Sequence, residues 1–189
     1  MVRKAGFVRA GDVAKRGIPR EHLRRLCRRG TLVQPARGLY RLAEHDPSTH
    51  HTLAAVSRKI PRGVVCLLSA LQFHELTTQL PPNVWLAIDR RAWRPVASGL
   101  PVRFVRFTGA AFTRGVENHA IEGVQVHVTN PARTVVDCFK YRNKVGLDVA
   151  LEALRDGIRT RRCTMDDLWK YAKLRHVATV MRPYLESVG

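Results

Sequence analysis

Residues 10–42, AGDVAKRGIPREHLRRLCRRGTLVQPARGLYRL, place a short helical stretch, a glycine, a second helical stretch and an alternating strand–turn–strand pattern in immediate succession. Residues 10–16 spell a short helix, and Gly17 can take the left-handed conformation that ends it. Pro19 then suits the first turn of the next helix, where its fixed φ is already helical and its missing N–H costs nothing. On that second helix Leu23, Leu26 and Cys27 fall at i, i+3 and i+4 and must face inward. Glu21, Arg24, Arg25 and Arg28 fall on the opposite side. After Gly30 the run TLVQPARGLYRL alternates around Pro35-Ala36-Arg37-Gly38, predicting a hairpin with Arg37 near its tip. Helix, tight glycine turn and helix form the unit that lays its second helix in the major groove of DNA, and the hairpin reads as a wing beside it.

Charge points the same way. The chain of 189 residues carries 33 Lys and Arg against 15 Asp and Glu, a formal net charge of +18. The first 42 residues hold twelve of the basic side chains and only Asp12 and Glu21 of the acidic ones. A polyanionic partner is therefore expected at the N-terminal end, and double-stranded DNA is the partner the motif fits. The candidate DNA-binding residues are Arg20, Glu21, Arg24, Arg25, Arg28 and Arg29 on the helix and Arg37 on the wing. An arginine can donate two parallel hydrogen bonds to guanine O6 and N7, while its neighbours neutralise phosphates and set register. Arg37 would reach the adjacent minor groove or a phosphate.

Beyond Arg41 the segment RLAEHDPSTHH loses apolar periodicity and contains a proline, which marks a seam near residues 44–48. The expected division is a winged helix-turn-helix domain over 1–46 and a second domain over 47–189. In the second domain THHTLAAVSRKI and CLLSALQFHEL read as helices. NVWLAID, PVRFVRFT, NHAIEG and VQVHVT read as strands, with a tight turn at Glu122-Gly123. From Asn130 the pattern is helical to the end: Asn130 as cap with Pro131 in the first turn, then helices over 146–159, 164–174 and 177–187. The fold class is α+β: a winged helix-turn-helix followed by a mixed α/β domain with a small antiparallel sheet and a helical C-terminal end. Nothing approaches a membrane span and no secretory leader shows, so a cytoplasmic protein with no membrane partner is expected. Cys27, Cys66, Cys138 and Cys163 are scattered through apolar stretches and read as buried thiols.

The chain resembles the AbiEi family of antitoxin-like transcriptional regulators, through FVRAGDVAKRGIPREHLRRLCRRGTLVQPARGLYRL at one end and LLSALQFHEL, NPARTVVDCF and LDVALEALRDGI further on. The resemblance implies a DNA-binding domain that represses its own operon, and a C-terminal domain that counteracts a nucleotidyltransferase-like toxin. Family members carry a full helix ahead of the position of Phe7, where only MVRKAG stands here. The first helix is thus expected to be truncated, with either an upstream start or cover from the C-terminal domain over Val13, Leu23 and Leu26. A repressor on a palindromic operator would act as a homodimer, although no heptad or dimer helix shows.

No enzyme is expected. His50-His51 are adjacent rather than on one helix face, and His119 and His127 have no carboxylate partner that can be named from sequence. The carboxylates after Asn130 all fall on predicted helices, which does not suit a metal-dependent nuclease. No cofactor and no metal site are expected. Arg133, Lys140, Arg142 and Lys144 form a second basic cluster, either a solvated face or a surface for an RNA or toxin partner. The alternative to the antitoxin reading is a winged-helix nucleic-acid-binding protein of a nuclease-related or RNA-binding lineage without a toxin partner.

Overall fold

The computed structural model describes residues 7–43 and 50–188, a mixed α/β protein with ten helices and eight strands among those residues. The seam expected near 44–48 and the residues ahead of Phe7 lie outside the described residues. Cα packing divides the chain into two compact units: 1–62 with 94–102 and 118–126, and 63–93 with 103–117 and 127–189.

In the first unit β1 (Phe7–Arg9) leads into α1 (Ala10–Ala14), and Gly17 at φ 73° turns the chain into α2 (Arg20–Arg28). β2 (Leu32–Ala36) and β3 (Leu39–Leu42) follow as a hairpin, and α3 (His51–Lys59) completes the helices of this unit. The sheet order is β1-β3-β2, both pairings antiparallel. Pro35 and Ala36 belong to β2 rather than to the turn, which is the two residues Arg37 and Gly38. The strand accommodates Pro35 because the ladder breaks register between Val33 and Ala36, where no N–H is needed. Val8, Val13, Leu23, Leu32 and Tyr40 form the buried core, with Leu26 and Cys27 packed against it.

In the second unit β4 (Val64–Val65) runs straight into α4 (Leu67–Phe73), with Leu67 taking a left-handed φ of 50° at the junction. Along the chain follow β5 (Val84–Asp89), β6 (Val102–Phe107), the single turn α5 (Ala110–Thr113), β7 (Val116–Ile121) and β8 (Val124–Thr129), of which residues 118–126 belong to the first unit. The chain ends in α6 (Pro131–Lys140), α7 (Arg142–Val145), α8 (Leu147–Arg159), α9 (Met165–Leu174) and α10 (Ala178–Glu186). The larger sheet has the order β6-β5-β4-β8-β7.

That sheet is not the antiparallel one expected. β4 pairs antiparallel with β5 but parallel with β8, through Val64↔His127 and Val65↔Val128. A parallel pair needs a long crossover, and some sixty residues of intervening chain provide it. At two residues β4 is too short to show alternation in the sequence. The turn between β7 and β8 is as expected: Glu122 and Gly123 have φ of 49° and 71°, the paired positive values of a tight hairpin turn.

α6 is the centre of the second unit. Asn130 caps it by accepting from the Arg133 N–H at 2.9 Å, and Pro131 occupies its first turn. Ala132, Val135, Val136, Cys138 and Phe139 are buried against side chains from α4, α8, α9 and α10. Among these apolar groups Asp137 is fully buried and accepts from Arg133 Nε at 2.9 Å and Arg175 Nε at 2.5 Å. Removing the carboxylate would leave two guanidinium groups in the interior without a counter-charge. Asp137→Ala is expected to cost about 3–5 kcal/mol of stability, read as a lowered urea midpoint; a variant as stable as the parent would refute this role.

The cysteines give a second test. Burial pushes Cys66 and Cys138 well above the ordinary thiol value of 9.0 and Cys163 up to about 12, while Cys27 is only half-buried. In the folded protein near pH 8, Cys27 should react with a thiol reagent well ahead of the other three, and all four should react at one rate after unfolding. Because the folded thiols hold their protons to higher pH, their contribution to stability is complete below that ordinary value. It is lost as pH rises from there toward 12.

Candidate nucleic-acid interface

α2 exposes every arginine it carries. Leu23, 4% exposed, anchors the helix from one side, while Arg20, Glu21, His22, Arg24, Arg25 and Arg28 stand in solvent with Arg29 just beyond. Two short-range contacts order this face. Arg24 reaches Glu21 at 3.5 Å across one turn, and Arg25 Nη2 lies 2.8 Å from His22 Nε2. Both are exposed, so they bias side-chain positions without adding appreciable stability. Glu21 offsets one arginine charge at the helix start and leaves the rest unopposed on that face.

Arg37 sits on the turn of the β2–β3 hairpin, exposed, followed by Gly38 at φ 75°. Its carbonyl accepts from Lys59 Nζ at 2.6 Å, so the backbone of the tip is tied to α3 while the guanidinium stays free to project. α3 makes a second tie through Arg58, which donates from Nη2 to Asp12 at 2.6 Å, while Arg9 donates to the Arg58 carbonyl. Burial, then the nearby Arg58, push the Arg9 guanidinium below its ordinary value; Asp12 opposes this. Arg41 is half-buried and donates to the Leu42 carbonyl at 2.9 Å.

Among the described residues the basic side chains of the N-terminal segment therefore divide into two groups. Arg9 and Arg41 are taken up in the fold of this unit. Lys15, Arg16, Arg20, Arg24, Arg25, Arg28, Arg29 and Arg37 are exposed. Lys15 and Arg16, outside the expected set, follow α1 directly and add to the same excess of charge. The ties from Arg58 and Lys59 were not legible in the sequence, because their partners lie 46 and 22 residues away.

The second basic cluster does not survive as four surface residues. Arg133 is 0% exposed: its guanidinium donates to Asp137 and to the Arg114 carbonyl at 2.6 Å. The signal was present as an Arg–Asp pair at i, i+4 inside an otherwise apolar helix. Lys140 and Lys144 are exposed, and Arg142 is half-buried with Nη1 donating to the Phe139 carbonyl at 3.1 Å. His51 Nδ1 lies 3.0 Å from Glu122. Among the described residues no group of three or more His, Cys, Asp or Glu is gathered as metal ligands, and no helix is long and apolar enough to cross a membrane.

Comparison with known proteins bears on the same segment. In structure, the chain is similar to the RV2827C protein from Mycobacterium tuberculosis, with a TM-score of 0.62 and 18% identity over 88% of this chain. The matched region spans 66% of that longer chain, and at this identity the likeness concerns the fold alone. No curated protein matches. The segment that holds α1, α2 and the hairpin falls within residues 2–43, which match the family model described as transcriptional regulator, AbiEi antitoxin.

Proposed function

We propose that the N-terminal unit is a winged helix-turn-helix, and that the protein is a repressor of its own promoter and the antitoxin of a nucleotidyltransferase-like toxin. The observation that carries the DNA reading is the sorting of α2: one buried leucine on one side and exposed arginines on the other, with Arg37 held on a hairpin turn after it. α2 enters the major groove with Arg20, Arg24, Arg25, Arg28 and Arg29, Glu21 orders Arg24, and Arg37 lies alongside. A palindromic operator bound by a homodimer would place two such helices one turn of DNA apart. The family match over residues 2–43 supports the same reading. Lys140, Arg142 and Lys144 are the surface offered to a toxin or its RNA, without Arg133.

The test is binding of the purified chain to its own upstream DNA against scrambled DNA of equal length, over a range of salt. Preference for the promoter that persists near physiological salt, with footprinted half-sites, is the expected result. Equal affinity for both, collapsing with salt, would overturn it. Arg25→Ala or Arg28→Ala should lose about 1–3 kcal/mol on the operator alone if the side chain reads a base. If it holds a phosphate, the loss is uniform across sequences and the salt slope falls by about one. Reversing charge at Arg142 and Lys144 should weaken protection against the toxin while leaving promoter binding intact.

A further inference from the structure

The second unit carries a basic turn that the DNA reading does not use. β5 ends at Asp89, and the next four residues are Arg90, Arg91, Ala92 and Trp93. Trp93 is 95% exposed, a large ring left almost wholly in water. Such exposure in a floppy segment would mean little, but this turn is braced. The Ala92 N–H donates to the Asp89 carbonyl at 3.0 Å, closing a tight turn, and the Arg90 N–H donates to the Phe107 carbonyl at 2.8 Å. Asp89 Oδ1 accepts from the Arg91 N–H at 2.7 Å. From β6, the Arg106 guanidinium donates to the Arg90 carbonyl at 2.6 Å and the Ala92 carbonyl at 3.0 Å. Beside the turn, Asp89, Arg90, Arg91, Thr108 and Gly109 line an open cleft of about 610 Å³.

We propose that this turn and cleft bind single-stranded nucleic acid, with Trp93 stacking on a base and Arg90 and Arg91 holding the flanking phosphates. A cation alone would not need a tryptophan, and an apolar peptide would not need two arginines at its side. Exposed guanidinium groups on a hydrogen-bonded turn, with an exposed aromatic ring directly after it in the chain, match the two faces of a nucleotide, its phosphate and its π surface. Duplex DNA is a poor ligand here, because its bases are already stacked and paired. Asp89 is the one acidic group of the cleft, and its Oδ1 is engaged by the turn's own N–H. The bracing means that the ordering entropy of the loop is spent in folding rather than at binding. No residue is shared with α2 or the hairpin, so this inference and the promoter reading stand or fall separately.

The experiment is fluorescence anisotropy on the full chain with three probes: a labelled oligouridylate, an oligothymidylate of the same length, and a duplex carrying the promoter. Near physiological salt, Trp93→Ala should bind both single-stranded probes about tenfold more weakly and the duplex unchanged. Trp93→Phe should keep most of the affinity, and replacing Arg90 and Arg91 by alanine should flatten the salt dependence on the single strands. A preference for oligouridylate would show that the 2′-hydroxyl is read; equal binding would show a site indifferent to the sugar. Unchanged single-strand binding by Trp93→Ala would overturn the proposal, as would an equal loss on duplex and single strands.

Discussion

One carboxylate organises the larger unit. Asp137 has no exposed surface, and the two guanidinium groups that meet it come from different places: Arg133 one turn back on α6, Arg175 just past the end of α9. Both cations also lie over the Phe107 ring, at 5.5 Å and 4.6 Å, which draws β6 into the same cluster. Arg133 reaches further, to the Arg114 carbonyl after α5. A buried charge group of this kind adds little net energy over a well-packed apolar one, but its directional bonds tolerate few alternative arrangements. Here it fixes α6 against β6, α5 and the end of α9, around an otherwise apolar core that could slide.

The smaller unit uses the same chemistry at its edge. Arg58 on α3 pairs with Asp12 on α1, its carbonyl receives Arg9 from β1, and Lys59 holds the backbone of the hairpin turn. The two basic residues of α3's last turn thus act on backbone and carboxylate partners within the unit. The exposed arginines of α2 are left with few partners of their own, a division of labour among side chains of one type. The braced turn after β5 repeats the theme, with Arg106 spent on carbonyl groups so that Arg90 and Arg91 remain presented.

Much of the fold was legible because its signals are local. Asn130 with Pro131 announced α6, and Thr164 caps α9 by accepting the Asp167 N–H at 3.1 Å. The periodicity of Leu147 to Ile158 matched α8, and Gly17 marked the turn before α2. Asp167 departs from a reciprocal capping box: its carboxylate accepts the Thr164 hydroxyl at 2.8 Å, since its side chain is one methylene shorter than glutamate. What was not legible depends on distant partners. The parallel pairing of β4 rests on residues some sixty positions away, and the left-handed Leu67 that turns β4 into α4 has no marker in its residue type. Arg133 read as surface because charge usually means exposure, and only its spacing to Asp137 hinted otherwise. The exposure of Trp93 has no sequence signal, because a single aromatic leaves no periodic trace.

The way the two units share the chain bears on how the protein is made. The backbone passes between them five times, and the first unit takes in residues up to 126. The arginine-bearing helix precedes the last segment of its own unit by some ninety residues, so that unit cannot close until residues 118–126 have been synthesised. Closure of that unit is therefore a late event that overlaps with assembly of the second. Until then the strongly basic segment belongs to a unit still missing part of its chain, and the rate of synthesis and of folding together decide how long it stays so.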